Sequence, residues 1–136
     1  MVPRWGGTLR DAWKDLQRIH FLGGFMAYEI VTDLRHTVVL DQANDIMTWG
    51  NLGPGAIRGI GRVVSGDPEQ FANSATQQRM MLDLMSVLLQ LSKDQMYWPQ
   101  QWPAWEMHEV EMWLCEYCKY CNAQDGMRLK RRYKPL

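Results

Sequence analysis

The apolar residues of this chain recur at the three- and four-residue spacing typical of α-helices, and no stretch alternates as a half-buried β-strand would. We therefore expect a compact all-α domain of about six helices. The first helix is predicted to start at Thr8 and Asp11, which have the spacing of a capping box, and Pro68 suits the first turn of the fifth. The predicted helices cover residues 8–19, 25–35, 41–49, 56–64, 68–92 and 104–124. Residues 1–136 are expected to form a single domain.

A Gly-Pro-Gly turn at residues 53–55 separates the third and fourth predicted helices. This arrangement is typical of a helix-hairpin-helix, a motif that directs backbone amides at a phosphate group. Gly53 and Gly55 lack a Cβ, so the chain can take positive φ there and can approach an anion closely. The amides of Gly55, Ala56 and Ile57 would then be unpaired at a helix start, where the helix dipole favours negative charge. The alternative is an ordinary tight link between two helices.

Positive charge is local in this chain, because 15 lysines and arginines balance 15 aspartates and glutamates. Arg58 and Arg62 lie four residues apart and would share one helix face next to the turn, where they could bind the DNA backbone. The last stretch, 126–136, holds five basic and no acidic side chains, among them Arg131 and Arg132. We interpret this tail as a phosphate contact, and the alternative is a solvated chain end.

Three cysteines form a CxxCxxC pattern at Cys115, Cys118 and Cys121, which raises the question of a metal site. On one continuous helix, side chains at this spacing spread over about a third of the circumference and cannot converge on one ion. We therefore expect free cysteines that pack as small apolar side chains, and neither a metal nor a cofactor. An odd number of cysteines is also typical of a reducing compartment.

The last predicted helix has one apolar and two polar sides. Its apolar side is expected to face the core with Val110, Trp113, Leu114, Tyr117 and Cys121. A polar side places Glu116 one turn before Lys119 and Tyr120. Glu116 and Lys119 are interpreted as reactive groups or, alternatively, as a solvent-exposed ion pair of little energetic consequence.

The composition narrows the classes of protein further. Seven tryptophans and ten methionines are many for 136 residues, and we expect most of them in the core, with some available to stack on bases. There is no run of about 18 apolar residues and no signal-peptide core, so we expect a cytoplasmic protein without membrane contact. The chain also lacks a P-loop and the common hydrolase motifs, so catalysis has to come from carboxylate, lysine, tyrosine or histidine side chains.

Three segments together resemble the alpha-glutamyl/putrescinyl thymine pyrophosphorylase family, also described as amino acid:DNA transferases. They are FMAYEIVTDLRHT at 25–37, WGNLGPGAIRGI at 49–60 and EVEMWLCEYCKY at 109–120. The resemblance implies a helix-hairpin-helix fold related to DNA glycosylases, and a role in bacteriophage DNA hypermodification. In that chemistry, 5-hydroxymethyluracil in DNA becomes a pyrophosphate ester, and an amine such as an amino acid or polyamine displaces the pyrophosphate.

The resemblance further implies DNA and a small amine as partners, together with a base pocket and a catalytic group. The base pocket would hold a flipped base between the rings of Tyr28, Trp49 and Tyr120. In the catalytic group a carboxylate accepts the amine proton and a cation stabilises the pyrophosphate; its residues are Asp33, Arg35, Glu111, Glu116 and Lys119. The alternative is that the same residues form structural salt bridges. We expect Glu116→Gln to abolish amine transfer without unfolding the protein. This chain has Met112 and Cys118 where the family pattern has histidine and an acidic residue.

Two other functions remain open from the sequence. A non-catalytic DNA-binding accessory module would use the turn, the arginines and the basic tail only to hold phosphates, and would ignore the activated base. A protein-binding helical domain would fit the balanced charge and would not bind DNA even at low salt.

Overall fold

Five α-helices make up the regular structure of the part of the chain that can be described. The computed structural model describes residues 5, 7–94 and 96–127, and these ranges contain no β-strand. The helices are α1 (Leu9–Leu16), α2 (Gly24–Leu34), α3 (Pro54–Ser65), α4 (Ala75–Leu91) and α5 (Met107–Gln124). The predicted all-α class is confirmed, with one helix fewer than expected among the described residues. Within the same ranges, no helix combines the length and the apolar character needed to cross a membrane.

The start of α1 is fixed by two side chains. Thr8 Oγ1 accepts a hydrogen bond from the Asp11 amide at 3.0 Å, which confirms the predicted helix start. The carboxylate of Asp45 accepts two more, from the amides of Leu9 at 2.7 Å and Arg10 at 3.1 Å. These bonds satisfy amides that have no partner within the helix. Helix α1 packs on α2 and on the segment after it around Leu9, Ala12, Leu16, Ala27, Val31, Leu40 and Ala43.

The predicted third helix at 41–49 is wrong, because the segment forms a series of turns. Its polar groups serve other elements. Besides the carboxylate that caps α1, the Asn44 amide donates to Gly7 O at 2.8 Å, and Ile46 O accepts from the Met107 amide at 3.3 Å. A regular helix would use those backbone groups in its own ladder. Since turns precede the Gly-Pro-Gly sequence, the helix-hairpin-helix and the glycosylase-like fold are not confirmed and stay predictions.

Helix α3 begins at the Gly-Pro-Gly sequence. Gly53 is the N-cap and Pro54 the first helical residue, a position where the fixed φ of proline suits and its missing N–H is not needed. Gly53 has a φ of −79°, and Gly55 is not among the glycines with positive φ, so neither uses the left-handed conformation that glycine allows. The expected unpaired amide at Ile57 is wrong, because it donates to Gly53 O at 3.0 Å. The helix ends at Gly66, whose φ of 78° is the left-handed conformation common after a helix.

Helix α4 begins later than the sequence predicts. Ser74 Oγ accepts from the Gln77 amide at 3.3 Å and caps the helix. The predicted start at Pro68 is wrong, because the preceding residues form a loop in which Asp67 Oδ1 accepts from the Glu69 amide at 2.9 Å. Such a side-chain bond to a nearby amide competes with helix formation.

Helix α5 buries a different side from the one predicted. Trp113 and Tyr117 are 49% and 41% exposed, although both were expected in the core. Glu111 and Cys118 are buried instead, together with Val110 and Leu114 on the predicted apolar side. The buried side of α5 is therefore shifted toward its polar residues, and a carboxylate is taken out of water.

Gly59 determines how closely α3 and α5 approach each other, and these two helices make the largest helix–helix interface of the described residues. A Cβ on Gly59 would lie 2.1 Å from Leu114 O, far inside contact distance, so only glycine allows the backbones to come this near. The close approach turns the Glu111 side of α5 toward α3, which accounts for the shifted buried side. With α4 the pair encloses Leu52, Ala56, Ile57, Ile60, Met81, Met85, Leu89, Met107, Val110 and Leu114.

We expect Gly59→Ala to destabilise the protein, because the added methyl group has to push α3 and α5 apart. Replacing glycine by alanine at an open helix position normally raises the free energy of unfolding by up to about 1 kcal/mol. Here we expect the free energy of unfolding, measured with urea, to fall by about 3 kcal/mol. Gly23→Ala is the control, since a Cβ there meets nothing within 4 Å, and it should change stability by under about 1 kcal/mol. An unchanged or higher urea midpoint for Gly59→Ala would contradict this account of the packing.

Candidate functional site

The start of α3 faces a buried carboxylate on α5. Glu111 is 9% exposed, and its Oε1 lies 3.9 Å from the position that a Cβ on Gly53 would take. The Gly53 backbone amide interacts with this carboxylate. One turn further along α5, Cys115 donates its thiol hydrogen to Glu111 Oε1 over 3.5 Å. A carboxylate of the protein itself therefore lies beside the helix start at which the sequence predicts a phosphate.

Burial raises the pKa of Glu111 from 4.5 to about 7. The Cys115 thiol and the Gly53 amide favour the carboxylate and lower this pKa, whereas the negative charge of Glu29 raises it. Loss of hydration outweighs the two hydrogen-bonding groups, so both protonation states are populated near neutral pH. A carboxylate with such a pKa is suited to accept and return a proton at neutral pH.

Tyr28 of α2 is buried, and the charge of Glu111 acts on its hydroxyl. Burial, followed by the charge of Glu111, raises the pKa of its phenol well above the usual range, so the hydroxyl stays protonated. A Cβ on Gly50 would lie 3.3 Å from the hydroxyl oxygen, which brings backbone close to it. The backbone of Asn51 faces the hydroxyl, yet no described residue meets hydrogen-bond geometry with it. A buried donor next to Glu111 is therefore unused.

Cys115 acts as a hydrogen-bond donor in this site. Burial, and then the charge of Glu111, raise the pKa of its thiol to about 12, so it is not a thiolate nucleophile near neutral pH. Gly55 makes room for the sulfur, because a Cβ there would lie 3.0 Å from Sγ. We call Tyr28, Gly53, Glu111 and Cys115 the Glu111 seam.

Two of the three predicted base-pocket residues are neighbours. The ring of Trp49 lies between those of Trp13 and Tyr28, at centroid distances of 5.7 and 5.6 Å, and meets Tyr28 edge to face at 84°. Tyr120 is exposed on α5, nine residues beyond Glu111, which corresponds to about 13 Å along the helix. The structure therefore brings Tyr28 and Trp49 to the seam and leaves Tyr120 apart from them.

Arg35 binds a different carboxylate from the one in the seam. Its Nε and Nη2 donate to Glu106 Oε2 and Oε1 at 3.1 and 2.7 Å, a bidentate pair that joins α2 to the start of α5. Glu106 also belongs to the capping box of α5, in which Glu109 Oε2 accepts from the Glu106 amide at 2.6 Å. Asp33 is exposed on α2. These contacts give Arg35 a role in holding two helices together.

Glu116 and Lys119 form an exposed ion pair on α5. Glu116 lies five residues beyond Glu111, about 7.5 Å along the helix and about 140° around it, so the two carboxylates point to different sides. Lys119 lies one turn beyond Cys115, and its positive charge lowers the pKa of that thiol. Glu116 acts on the same thiol in the opposite direction, because its negative charge raises that pKa.

The two predicted DNA-binding arginines of α3 differ in their surroundings. Arg58 is exposed, with Nε 3.3 Å from Glu69 Oε1. Arg62 is 10% exposed, and its Nη2 lies 2.8 Å from Asn122 Oδ1 and 3.0 Å from Asp125 Oδ2 at the end of α5. Arg58 can exchange its exposed partner for a phosphate, whereas Arg62 is committed to joining α3 and α5.

The remaining predicted DNA contacts are backbone groups and the tail. Gly53, Gly55 and Ala56 do lie together at the start of α3, which has no side-chain cap, although the Ala56 side chain is fully buried. Arg131 and Arg132 lie outside the described residues. Their role in DNA binding stays a prediction.

Sequence reasoning missed the contribution of Cys115 to the site and a cavity elsewhere on α5. The i, i+4 spacing of Glu111 and Cys115 was the available signal for the first. The cavity, of about 490 Å³, is lined by aromatic rings, with Trp105 and Trp113 parallel at 6.0 Å and Trp98 5.0 Å from Trp105. The aromatic, proline-containing connector before α5 was its signal in the sequence.

Glu111→Gln removes the titrating group and keeps the size of the side chain. Because folding raises the pKa of Glu111 from 4.5 to about 7, its stability contribution is full below pH 4.5 and is lost as the pH rises through about 7. We expect the stability of Glu111→Gln relative to wild type to grow by roughly 2–3 kcal/mol between about pH 5 and pH 8, measured by chemical denaturation.

The matched control is Glu116→Gln, which removes an exposed carboxylate from the same helix. Its stability relative to wild type should stay nearly constant over the same pH range. Parallel pH profiles of Glu111→Gln and wild type would contradict a raised pKa at Glu111.

Comparison with protein families gives one match. Residues 6–127 match the family model described as 5-hmdU DNA kinase, helical domain, which covers most of the 136 residues. No curated protein and no solved structure matched the chain significantly. The matched family is related to hydroxymethyluracil DNA modification, the setting that the sequence resemblance implies, but the match does not confirm the thymine pyrophosphorylase family itself. The chain belongs to the family of 5-hmdU DNA kinase helical domains.

Proposed function

We propose that this chain acts in the modification of 5-hydroxymethyluracil in DNA and presents the Glu111 seam to the modified base. The family match over residues 6–127 carries the proposal. The three segments of the sequence resemblance support it, because each supplies a member of the seam: Tyr28, Gly53 and Glu111. Segments far apart in sequence thus contribute to one buried polar site.

The reaction that fits this seam is displacement of pyrophosphate by an amine. The amine nitrogen attacks the methylene carbon of 5-pyrophosphoryloxymethyluracil, and a C–N bond forms. The C–O bond to pyrophosphate breaks, and pyrophosphate leaves with the electron pair. The proton of the amine passes to the Glu111 carboxylate, which is suited to this step because its pKa is raised to about 7.

Neighbouring groups support the same assignment. The rings of Tyr28 and Trp49 can contact a base that has left the stack, and the unused Tyr28 hydroxyl can donate a hydrogen bond to it. The start of α3 offers the backbone amides of Gly55 and Ala56 to the leaving pyrophosphate, next to the Gly53 amide that interacts with Glu111. Lys119 is the predicted catalytic cation on α5, and its positive charge acts on Cys115 one turn earlier.

A second function, a non-catalytic DNA-binding accessory module, is favoured by one observation. The predicted catalytic residues do not converge: Arg35 is paired with Glu106, Asp33 is exposed, and Glu116 lies on another side of α5 from Glu111. In that case the chain holds DNA through backbone amides and Arg58, while another protein performs the chemistry.

Nucleoside mass spectrometry separates the two functions. DNA carrying pyrophosphorylated 5-hydroxymethyluracil is incubated with the protein and a pool of amino acids and polyamines, and the digested nucleosides are analysed. We expect a new amine adduct with the wild-type protein, formed faster as the pH rises through about 7, because Glu111 must be ionised to accept the proton. We expect Glu111→Gln to lower the rate by at least about 100-fold.

Glu116→Gln is the matched control in this assay, and retained transfer would exclude Glu116 as the base. Equal rates for Glu111→Gln and wild type would exclude Glu111. If the DNA is unchanged although the wild-type protein is folded and bound to it, the accessory function is supported and the transferase function is contradicted. Absence of DNA binding at low salt would contradict both functions.

A further inference from the structure

An exposed phenylalanine in a strained conformation lies between α1 and α2. Phe21 has a φ of 73° and is the one non-glycine residue with positive φ among those described. This conformation brings the Cβ close to backbone oxygen and is unfavourable for a bulky side chain. Phe21 is also 91% exposed, so packing of its ring in a core does not compensate the strain. Uncompensated strain of this kind is a feature of functional positions.

The surrounding loop holds Phe21 outward. The Leu22 amide donates to Ile19 O at 3.1 Å, and the Leu22 side chain packs against the cluster between α1 and α2. The ring of His20 lies 3.9 Å from the Phe21 ring, centroid to centroid, and covers one part of it. The Ile19–Leu22 bond therefore closes the loop around Phe21, whose exposed ring we call the tip.

The surface around Phe21 is apolar with a positive charge beside it. Phe25 is 70% exposed, and Ile19 and Met26 are exposed as well. Residues 16–28 contain no acidic residue. Arg18 projects into solvent, and its ion pair with Asp15, at 3.3 Å, is exposed and easily exchanged. Apolar tips flanked by exposed cations suit a partner that combines stacked rings with negative charge, and duplex DNA is such a partner.

Hydrogen bonds at Gly24 join the start of α2 to α1 and to the segment that precedes α3. Gly24 O accepts from Trp13 Nε1 at 2.8 Å and from Asn51 Nδ2 at 3.5 Å. Phe21 is three residues from Gly24, so their Cα atoms are at most about 11 Å apart. The start of α2, three residues beyond Phe21, therefore contacts the segment that leads to Gly53 of the Glu111 seam.

We propose that Phe21 is a wedge that enters a base step of duplex DNA and unstacks the nucleotide that the Glu111 seam receives. Arg18 binds a neighbouring phosphate in place of Asp15. The inference rests on the proposed function, since it requires a base to be drawn out of the duplex. Apolar side chains that enter a base step lower the cost of opening it by replacing the lost stacking.

The test uses duplex DNA in which 2-aminopurine lies next to 5-hydroxymethyluracil, because 2-aminopurine fluorescence rises when the base unstacks. Wild-type protein should raise the fluorescence. Phe21→Gly should reduce the rise on the order of tenfold. Its melting temperature should equal or exceed that of wild type, since glycine adopts positive φ without strain. Phe21→Leu, which keeps an apolar tip, should retain part of the rise.

Val38→Ala is the matched control, because Val38 is 88% exposed and apolar but lies outside this surface. It should leave the fluorescence unchanged. An unchanged rise with Phe21→Gly would overturn the wedge and leave the proposed function standing. Failure of the wild-type protein to bind the duplex would overturn both. A change of oligomeric state in Phe21→Gly without a change in fluorescence would assign the surface to a second copy of the chain and overturn the wedge.

Discussion

The close approach of α3 and α5 at Gly59 is the constraint on which the rest of the structure depends. It brings the backbone of one helix against Leu114 O of the other, so a polar side of α5 is buried instead of being left in water. Glu111 is thereby held at the start of α3 with Cys115 beside it. The Arg35–Glu106 ion pair adds a second constraint, because it joins the end of α2 to the start of α5.

The chemistry of the seam follows from a competition between hydration and local charge. A helix start and a thiol donor both favour the Glu111 carboxylate, yet burial outweighs them and the pKa rises to about 7. The neighbouring Tyr28 and Cys115 keep their protons, because burial and the Glu111 charge both raise their pKa values. Glu111 therefore titrates near neutral pH, whereas the Tyr28 hydroxyl and the Cys115 thiol remain protonated hydrogen-bond donors.

Local signals predicted the helical class and the start of α1, and tertiary contacts account for the wrong prediction at 41–49 and for the unexpected role of Arg35. The Thr8 cap and the all-α class could be predicted because they depend on neighbouring residues. The turns at 41–49 could not, since Asp45 caps a helix 35 and 36 residues away. In the site, the family resemblance pointed to Tyr28 and Glu111. The structural role of Arg35 could not be predicted, because its partner Glu106 lies 71 residues away in the sequence.

The most direct test of this account is the titration of Glu111 itself. Carbon-13 NMR of protein labelled at the glutamate side-chain carboxyl, with the Glu111 resonance assigned by its loss in Glu111→Gln, reports the protonation of this one group. The account predicts a midpoint of about 7. A midpoint near 4.5, the ordinary value for glutamate, would show a hydrated carboxylate and would contradict a buried base at the start of α3.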